Sequence, residues 1–196
     1  MILISVPYAE KDEAKKLGAK WSVENKSWFI PNNVDKTAFK KWLTNDEPTL
    51  KSLYWFIISG LESCYRCGNY STVYTIGLPE THFSHDDEYD TWTEAGYCCF
   101  VSNIEYLNPS SAEIMKTISN GTFRKDFSKT KNRQGYMNHC SHCDGKYGEF
   151  FLHTEPSILN QFYTCEGIDK LLIDDPIELD GGVGVSNFIE NVIYKL

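Results

Sequence analysis

The sequence predicts an α+β fold in two modules: a small N-terminal strand-helix-hairpin module and a larger module organised by two Cys-x-x-Cys turns. Three observations carry that prediction. Short stretches in which apolar and polar residues alternate recur along the chain, at residues 2–7 and again at 71–78. Stretches with helical spacing are few and short. The pairs Cys64/Cys67 and Cys140/Cys143 are separated by 72 residues, a gap long enough to hold structure of its own.

The elements follow in order. Residues 2–7 (ILISVP) predict a first strand. Residues 10–17 (EKDEAKKL) predict a short helix, acidic at its start and basic at its end, which complements the helix dipole. Gly18 suits the left-handed residue that closes a helix. Residues 19–23 and 27–31 predict two strands joined by a turn at 24–26. Asp35 is placed to N-cap a helix running to Leu43, with Phe39, Trp42 and Leu43 on its apolar side. The run NDEPT then ends a module spanning residues 1–45, near the lower size limit for independent folding.

The second module is predicted to span 49–196. Residues 49–61 are mostly apolar and read as a buried strand or a connector. Residues 71–78 are β-rich, 80–97 read as an exposed acidic loop, and 98–107 are strand-like. Ser110 or Ser111 is placed to cap a helix reaching about residue 119. Residues 148–153 (GEFFLH) predict a further strand. The GGVG at 181–184 reads as a turn before a last helix at about 187–194.

Composition bounds the class. Hydrophobic residues make up 41% of the chain and aromatics 14%, so a packed core is expected. No apolar run approaches the roughly 18 residues of a membrane-spanning helix. The opening residues are too short and lack the basic flank of a signal peptide, so a cytoplasmic location is expected. Charge is uneven. Residues 1–45 hold eight Lys against five acids, a net of +3, and the remainder holds eleven basic and twenty-two acidic residues, a net of −11. An acidic body repels a phosphate backbone unless its charges are segregated, and it suits a basic protein partner.

The cysteines carry the clearest chemistry. Two thiolates on one tight turn can both reach a zinc ion at about 2.3 Å, so two such turns supply a tetrahedron. Cys64, Cys67, Cys140 and Cys143 are therefore expected to bind a structural zinc. Gly68 and Gly145 follow the second cysteine of each pair, where a free backbone permits the turn. His139 or His142 could replace a cysteine, and His82 with His85 could form a second, weaker site or belong to a solvated loop. Cys98, Cys99 and Cys165 read as core residues; Cys98 and Cys99, being adjacent on a strand, point to opposite faces. The module is expected to be zinc-ribbon-like with an insertion at about 69–138, whose ends the metal pins together.

Two stretches resemble known proteins. Val6-Pro7-Tyr8, Lys11-Asp12-Glu13-Ala14, Leu17-Gly18-Ala19-Lys20-Trp21 and Trp28-Phe29-Ile30-Pro31 resemble a small domain of unknown function found in bacterial, plasmid and phage proteins, sometimes beside primase-like modules. The likeness covers about residues 2–43 and implies a mobile-element setting, not a chemistry. Trp21 and Trp28 then read as core packing or as stacking platforms for a base or peptide. The flanks of the cysteine pairs, over about residues 62–155, resemble a zinc-ribbon-like bacterial module that implies no activity.

No catalytic signature is recognised. His153 and Glu155 match the HxE of zinc deaminases, but the required PCxxC does not follow them, and four thiolates leave no open position for water. The sequence lacks HExxH, GxSxG and a phosphate-binding GxxxxGK[ST]. The expected function is a non-enzymatic, zinc-stabilised binding protein. One form is an acidic immunity or inhibitor protein that captures a basic partner through Asp86, Asp87, Glu88, Asp90 and Glu94. The alternative is a nucleic-acid-associated accessory protein of a mobile element. It would use the N-terminal module and Arg124, Lys125, Lys129, Lys131 and Arg133, interleaved with Phe123 and Phe127. The plainer reading of that basic stretch is a solvated loop or helix face.

Overall fold

The computed structural model describes residues 2–4, 6–23, 27–43, 47–131, 133–148, 152, 167–184 and 187–195. The chain divides into two compact units. One comprises residues 1–45 and 126–134, the other residues 46–125 and 135–196.

The first unit holds a three-stranded antiparallel sheet in the order β1 (Ile2–Ile4), β3 (Ser27–Ile30), β2 (Lys20–Ser22). Helix α1 (Lys11–Lys16) follows a 3-10 turn at Tyr8–Glu10. Gly18 closes it with a φ of +102°, and a Cβ there would also press Val34 at 3.3 Å. Asp35 caps the next element as expected, accepting the Thr37 N–H at 2.9 Å and its hydroxyl at 2.7 Å. That element is a 3-10 helix, Lys36–Trp42, rather than an α-helix. It ends where Leu43 turns extended and bridges to Ile4. Ile4, Ala14, Ile30, Phe39 and Trp42 make the core. The buried Trp42 indole donates to Glu10 at 2.7 Å, so its one polar atom is satisfied.

The second unit is built on an eight-stranded sheet. In chain order its strands are β4 (Leu50–Ser52), β5 (Trp55–Ser63), β6 (Tyr70–Leu78), β7 (Phe83–Asp86), β8 (Thr91–Glu94), β9 (Cys99–Leu107), β12 (Ile168–Ile173) and β13 (Ile177–Gly184). Across the sheet the order is β12-β5-β6-β9-β13-β4-β7-β8. Strands β10 (Phe123–Ser128) and β11 (Arg133–Asn138) form a separate ribbon. Helices α2 (Pro109–Ile118) and α3 (Asn187–Lys195) belong to the same unit.

Both faces of the central strands are buried, which explains the continuous apolar run Trp55-Phe56-Ile57-Ile58. Phe56 and Ile58 pack with Ile189, Val192 and Ile193 of α3. Trp55 and Ile57 pack on the other face, in the cluster that holds Met115 of α2. Gly77 admits α3, since a Cβ there would lie 3.5 Å from Ile193 and 3.3 Å from Ile58. Among the described residues no helix is long and apolar enough to cross a membrane.

Several expectations change. Residues 80–97 form the β7–β8 hairpin rather than a loop. The GGVG at 181–184 lies within β13, paired with β9, and is not a turn. A Cβ at Gly181 would sit 2.7 Å from Val101 and 3.0 Å from the Ser102 carbonyl, so glycine there serves close strand approach. Helix α2 starts from Asn108 and Pro109, and Ser111 is buried instead of capping. The basic stretch is a β-ribbon, neither loop nor helix face. The segment expected as an insertion, 69–138, supplies β6 to β9 of the main sheet. The turn at 24–26 falls outside the described residues, as do residues 149–151 and 153 of the strand expected at 148–153, within which Leu152 is helical.

Candidate metal centre and flanking charged surfaces

The first cysteine pair sits in the turn between β5 and β6, and the second follows β11. The two turns share one hydrogen-bond frame. Gly68 N–H donates to the Cys64 carbonyl at 2.8 Å, and Asp144 N–H donates to the Cys140 carbonyl at 2.9 Å. Cys64 N–H donates to Asn69 at 2.9 Å, and Cys140 N–H donates to Gly145 at 2.8 Å. In each turn the residue after the second cysteine is left-handed: Gly68 at φ +74° and Asp144 at φ +57°. Gly145, expected to free the turn and let an amide face the sulfurs, is not the left-handed residue, but its amide does bond to Cys143. Its missing Cβ leaves room for a sulfur, since a Cβ would lie 3.2 Å from Cys143 Sγ.

The four thiols converge. Cys64 and Cys143 sulfurs are 3.7 Å apart, as are those of Cys67 and Cys140, and all four lie within 4.8 Å of one another. A disulfide would need about 2.05 Å. A tetrahedral site with Zn–S bonds of about 2.3 Å has sulfurs about 3.8 Å apart. The donor set and spacing fit a four-thiolate metal ion. Cys64 and Cys140 are buried, Cys143 partly so, and Cys67 is exposed.

Polar groups around the sulfurs favour ionisation. The Ser71 hydroxyl donates to Cys140 at 3.3 Å and pulls its pKa down to about 5, helped by the His142 and Cys143 amides. Burial resists ionisation of Cys64, but the Cys67 and Arg66 amides outweigh it and lower its pKa. At Cys143 the Gly145 amide favours the thiolate, yet burial and the three neighbouring thiols push the pKa up to about 12. A divalent cation would remove that conflict by neutralising the shared charge. Ser71 also accepts the Ser141 N–H at 3.1 Å, so one hydroxyl ties β6 to the second turn.

The histidines considered as substitutes are placed elsewhere. His139 is buried, and its Nδ1 donates to the Met137 and Thr122 carbonyls at 3.1 and 3.2 Å. His142 contributes its backbone amide to Cys140. His82 and His85 do not form a joint site. His82 donates from Nδ1 to the Pro79 carbonyl at 2.6 Å, and its Nε2 is 3.8 Å from Cys99 Sγ. Burial lowers the His82 pKa and raises that of Cys99 to about 12, so this pair is neutral. His85 instead lies against Asp87 at 2.8 Å and Asp90 at 3.3 Å. Among the described residues, the four cysteines are the one group of three or more donors close enough to share a metal. Cys98 and Cys99 are buried in opposite clusters of the sheet. Cys165, His153 and Glu155 lie outside the described residues.

The acidic residues cluster on the β7–β8 hairpin. Asp86 is spent on the turn, accepting the Glu88 and Tyr89 amides at 2.9 and 3.2 Å. Asp87, Glu88, Asp90 and Glu94 are exposed. The basic residues lie along the β10–β11 ribbon. Arg124 is engaged locally, pairing with Asp144 beside the second cysteine turn and donating to the Gly121 carbonyl. Lys125, Lys129, Lys131 and Arg133 are exposed. Phe123 is buried and stacks on Tyr136 at 5.8 Å, so it belongs to the core.

The tip of this ribbon, residues 126–134, falls in the same compact unit as residues 1–45. That unit holds eleven basic and six acidic residues, a net of +5, and the other holds eight and twenty-one, a net of −13. Local sequence gave no sign of this grouping, because it joins segments 80 residues apart.

Residues 1–44 match the family model described as Domain of unknown function (DUF5710). Two curated Escherichia coli proteins, each named DNA primase TraC, are similar over 39 residues at 54% and 46% identity. The similar stretch is 20% of this chain and 3% or 4% of those proteins. No solved structure matches the chain. Residues 1–44 are thus the part that the family model covers, and the four-cysteine cluster lies outside it.

Proposed function

We propose that the protein is a zinc-stapled, non-enzymatic accessory factor of mobile-element DNA metabolism whose basic unit contacts nucleic acid. The segregation of charge is the observation that supports it most: the ribbon tip joins the basic N-terminal module to make a +5 unit in a chain of net charge −8. Likeness over 39 residues to curated proteins named DNA primase agrees with that setting. In this reading the zinc-ribbon-like pair of cysteine turns is architectural. Four thiolates saturate the ion, so it supplies folding free energy and no open coordination position. Ser71 and the turn amides orient the sulfurs.

Binding of labelled single-stranded DNA at low salt, weakening steeply as salt rises, is the expected result. Glutamate substitutions at Lys129, Lys131 and Arg133 should weaken it further. Absence of binding at low salt would remove this reading. Metal analysis should give about one zinc per chain, and folded, metal-free protein would remove the zinc assignment.

A second reading is favoured by the exposed carboxylates of the β7–β8 hairpin: capture of a basic protein, as an immunity or inhibitor protein does. Here Asp87→Asn with Glu88→Gln should abolish capture of that partner from the native host and leave DNA binding unchanged.

A further inference from the structure

Helix α1 carries Lys11 and Lys15 one turn apart, so both lie on the same helix face. Each ammonium lies over an aromatic ring. Lys11 Nζ is 3.7 Å from the centroid of Tyr8, and Lys15 Nζ is 5.8 Å from that of Trp28. Trp28 in turn meets Trp21 edge to face, with centroids 5.7 Å apart and planes at 72°. Cross-strand pairing of Trp21 with Trp28 fixes that contact. The result is a continuous ridge: Tyr8, Lys11, Lys15, Trp28, Trp21.

The two ends of the ridge are not part of the core. Tyr8 is 80% exposed and Trp21 is 50% exposed, whereas Trp28 is 9% exposed and anchors the ridge to the unit. The core cluster closes without Tyr8 or Trp21. Glu10 is drawn off by the Trp42 indole at 2.7 Å, which leaves Asp12 and Glu13 as the acids beside the ridge on α1. Large exposed aromatics cost solubility, and on this ridge two ammonium groups lie between Tyr8 and the Trp28–Trp21 pair. That pairing serves a ligand with flat apolar faces and regularly spaced negative charges.

We propose that this ridge is a single-stranded nucleic-acid site, with bases stacking on Tyr8 and Trp21 and the phosphates between them meeting Lys11 and Lys15. The inference rests on the nucleic-acid reading above and sharpens it to named residues and to single strands. A duplex hides the base faces that such a ridge would engage, and aromatic stacking accepts every base. Lysine is a point charge and lacks the planar fork that reads a base edge, so binding should be sequence-tolerant.

The test is fluorescence anisotropy of the full chain with fluorescein-labelled oligothymidylate at low salt. Tyr8→Ala and Trp21→Ala should each weaken binding by about tenfold or more, the loss expected for one stacked base. Trp21→Phe should keep most of the affinity while removing the tryptophan quenching that stacking produces. Lys15→Gln, a surface change that leaves the core intact, should lower the salt slope by about 0.7. Duplex of the same length should bind more weakly than the single strand. If the wild type binds but all four variants bind equally well, the ridge is refuted and the basic ribbon carries the broader reading. If the wild type binds no oligonucleotide, both fall. Equal affinity for polyglutamate would also overturn the ridge, because charge alone would then explain the binding.

Discussion

The basic unit and the acidic unit are held together by different means. The first closes over one small apolar core that includes Trp28, Phe39 and Trp42, and its polar bonds run from the local pair Asp35 and Thr37 to that of Trp42 with Glu10, 32 residues away. The second has two cores on opposite faces of one sheet, yet its four thiols join strand ends that are 73 residues apart in the chain. A small unit depends on every large side chain. A large sheet assembled from distant segments depends on whatever offsets the entropy of bringing them together. The contrast teaches that the four-thiol cluster belongs to the topology of the acidic unit, whereas the core of the basic unit contains none of these cysteines.

Changes at the metal should break that contrast most strongly. Cys64→Ser or Cys140→Ser should abolish stoichiometric zinc and the cooperative unfolding of the acidic unit, as followed by metal analysis and circular dichroism. The basic unit's tryptophan signals should persist. Cys98→Ala serves as the control, because it should keep the metal and cost about 1–2 kcal/mol in a chemical denaturation curve. Loss of zinc in that control would mean that fold damage, and not ligation, explains the result.

The reciprocal change is Phe39→Ala. Truncating this fully buried ring should cost the basic unit about 3–5 kcal/mol and leave zinc content unaltered. For a unit of this size that is comparable to its whole stability, so early melting of one transition in a thermal scan is the readout. A simultaneous fall in zinc would show that the two units do not melt independently.

A smaller effect should follow from Ser71→Ala, which removes the hydroxyl on Cys140 while keeping all four ligands. Zinc affinity measured by chelator competition should fall about tenfold. The protein should stay folded at saturating zinc.

The smallest effect concerns His85, whose pKa is raised by its bond to Asp87 and further by Asp90. A raised folded-state value means that protonated His85 stabilises the hairpin. That contribution is fully present below the ordinary value of about 6.5 and is lost as pH rises through the raised one. An NMR titration should place the midpoint above 6.5, and Asp87→Asn should bring it down. An unmoved midpoint would show that the pair contributes nothing.

Much of the four-cysteine cluster was legible in the sequence, because a Cys-x-x-Cys turn is local and its geometry needs only residue type and spacing. The glycine expected to free the second turn does not hold its left-handed position. Asp144 takes that position although a glycine stands next to it, since the hydrogen-bond frame counts residues from Cys140 and Gly145 falls one place too late. The N-terminal module was equally readable in outline, as its helix, hairpin and cap are encoded within a few residues. The β7–β8 hairpin was missed because polar, acidic residues masked a strand period that only pairing with β4 reveals.

By itself, then, the sequence determined which four thiols could meet, the first helix and the Asp35 cap of residues 1–45, and the uneven charge. Each depends on neighbours within a few residues or on composition. Only the tertiary structure decided that 69–138 is the middle of a sheet, that Gly181 lies against Val101, that the ribbon tip falls in the basic unit, and that Tyr8 and Trp21 end one ridge. These features join residues from different segments, through strand pairing and ring packing. No local pattern encodes which distant segment a strand or a ring will meet.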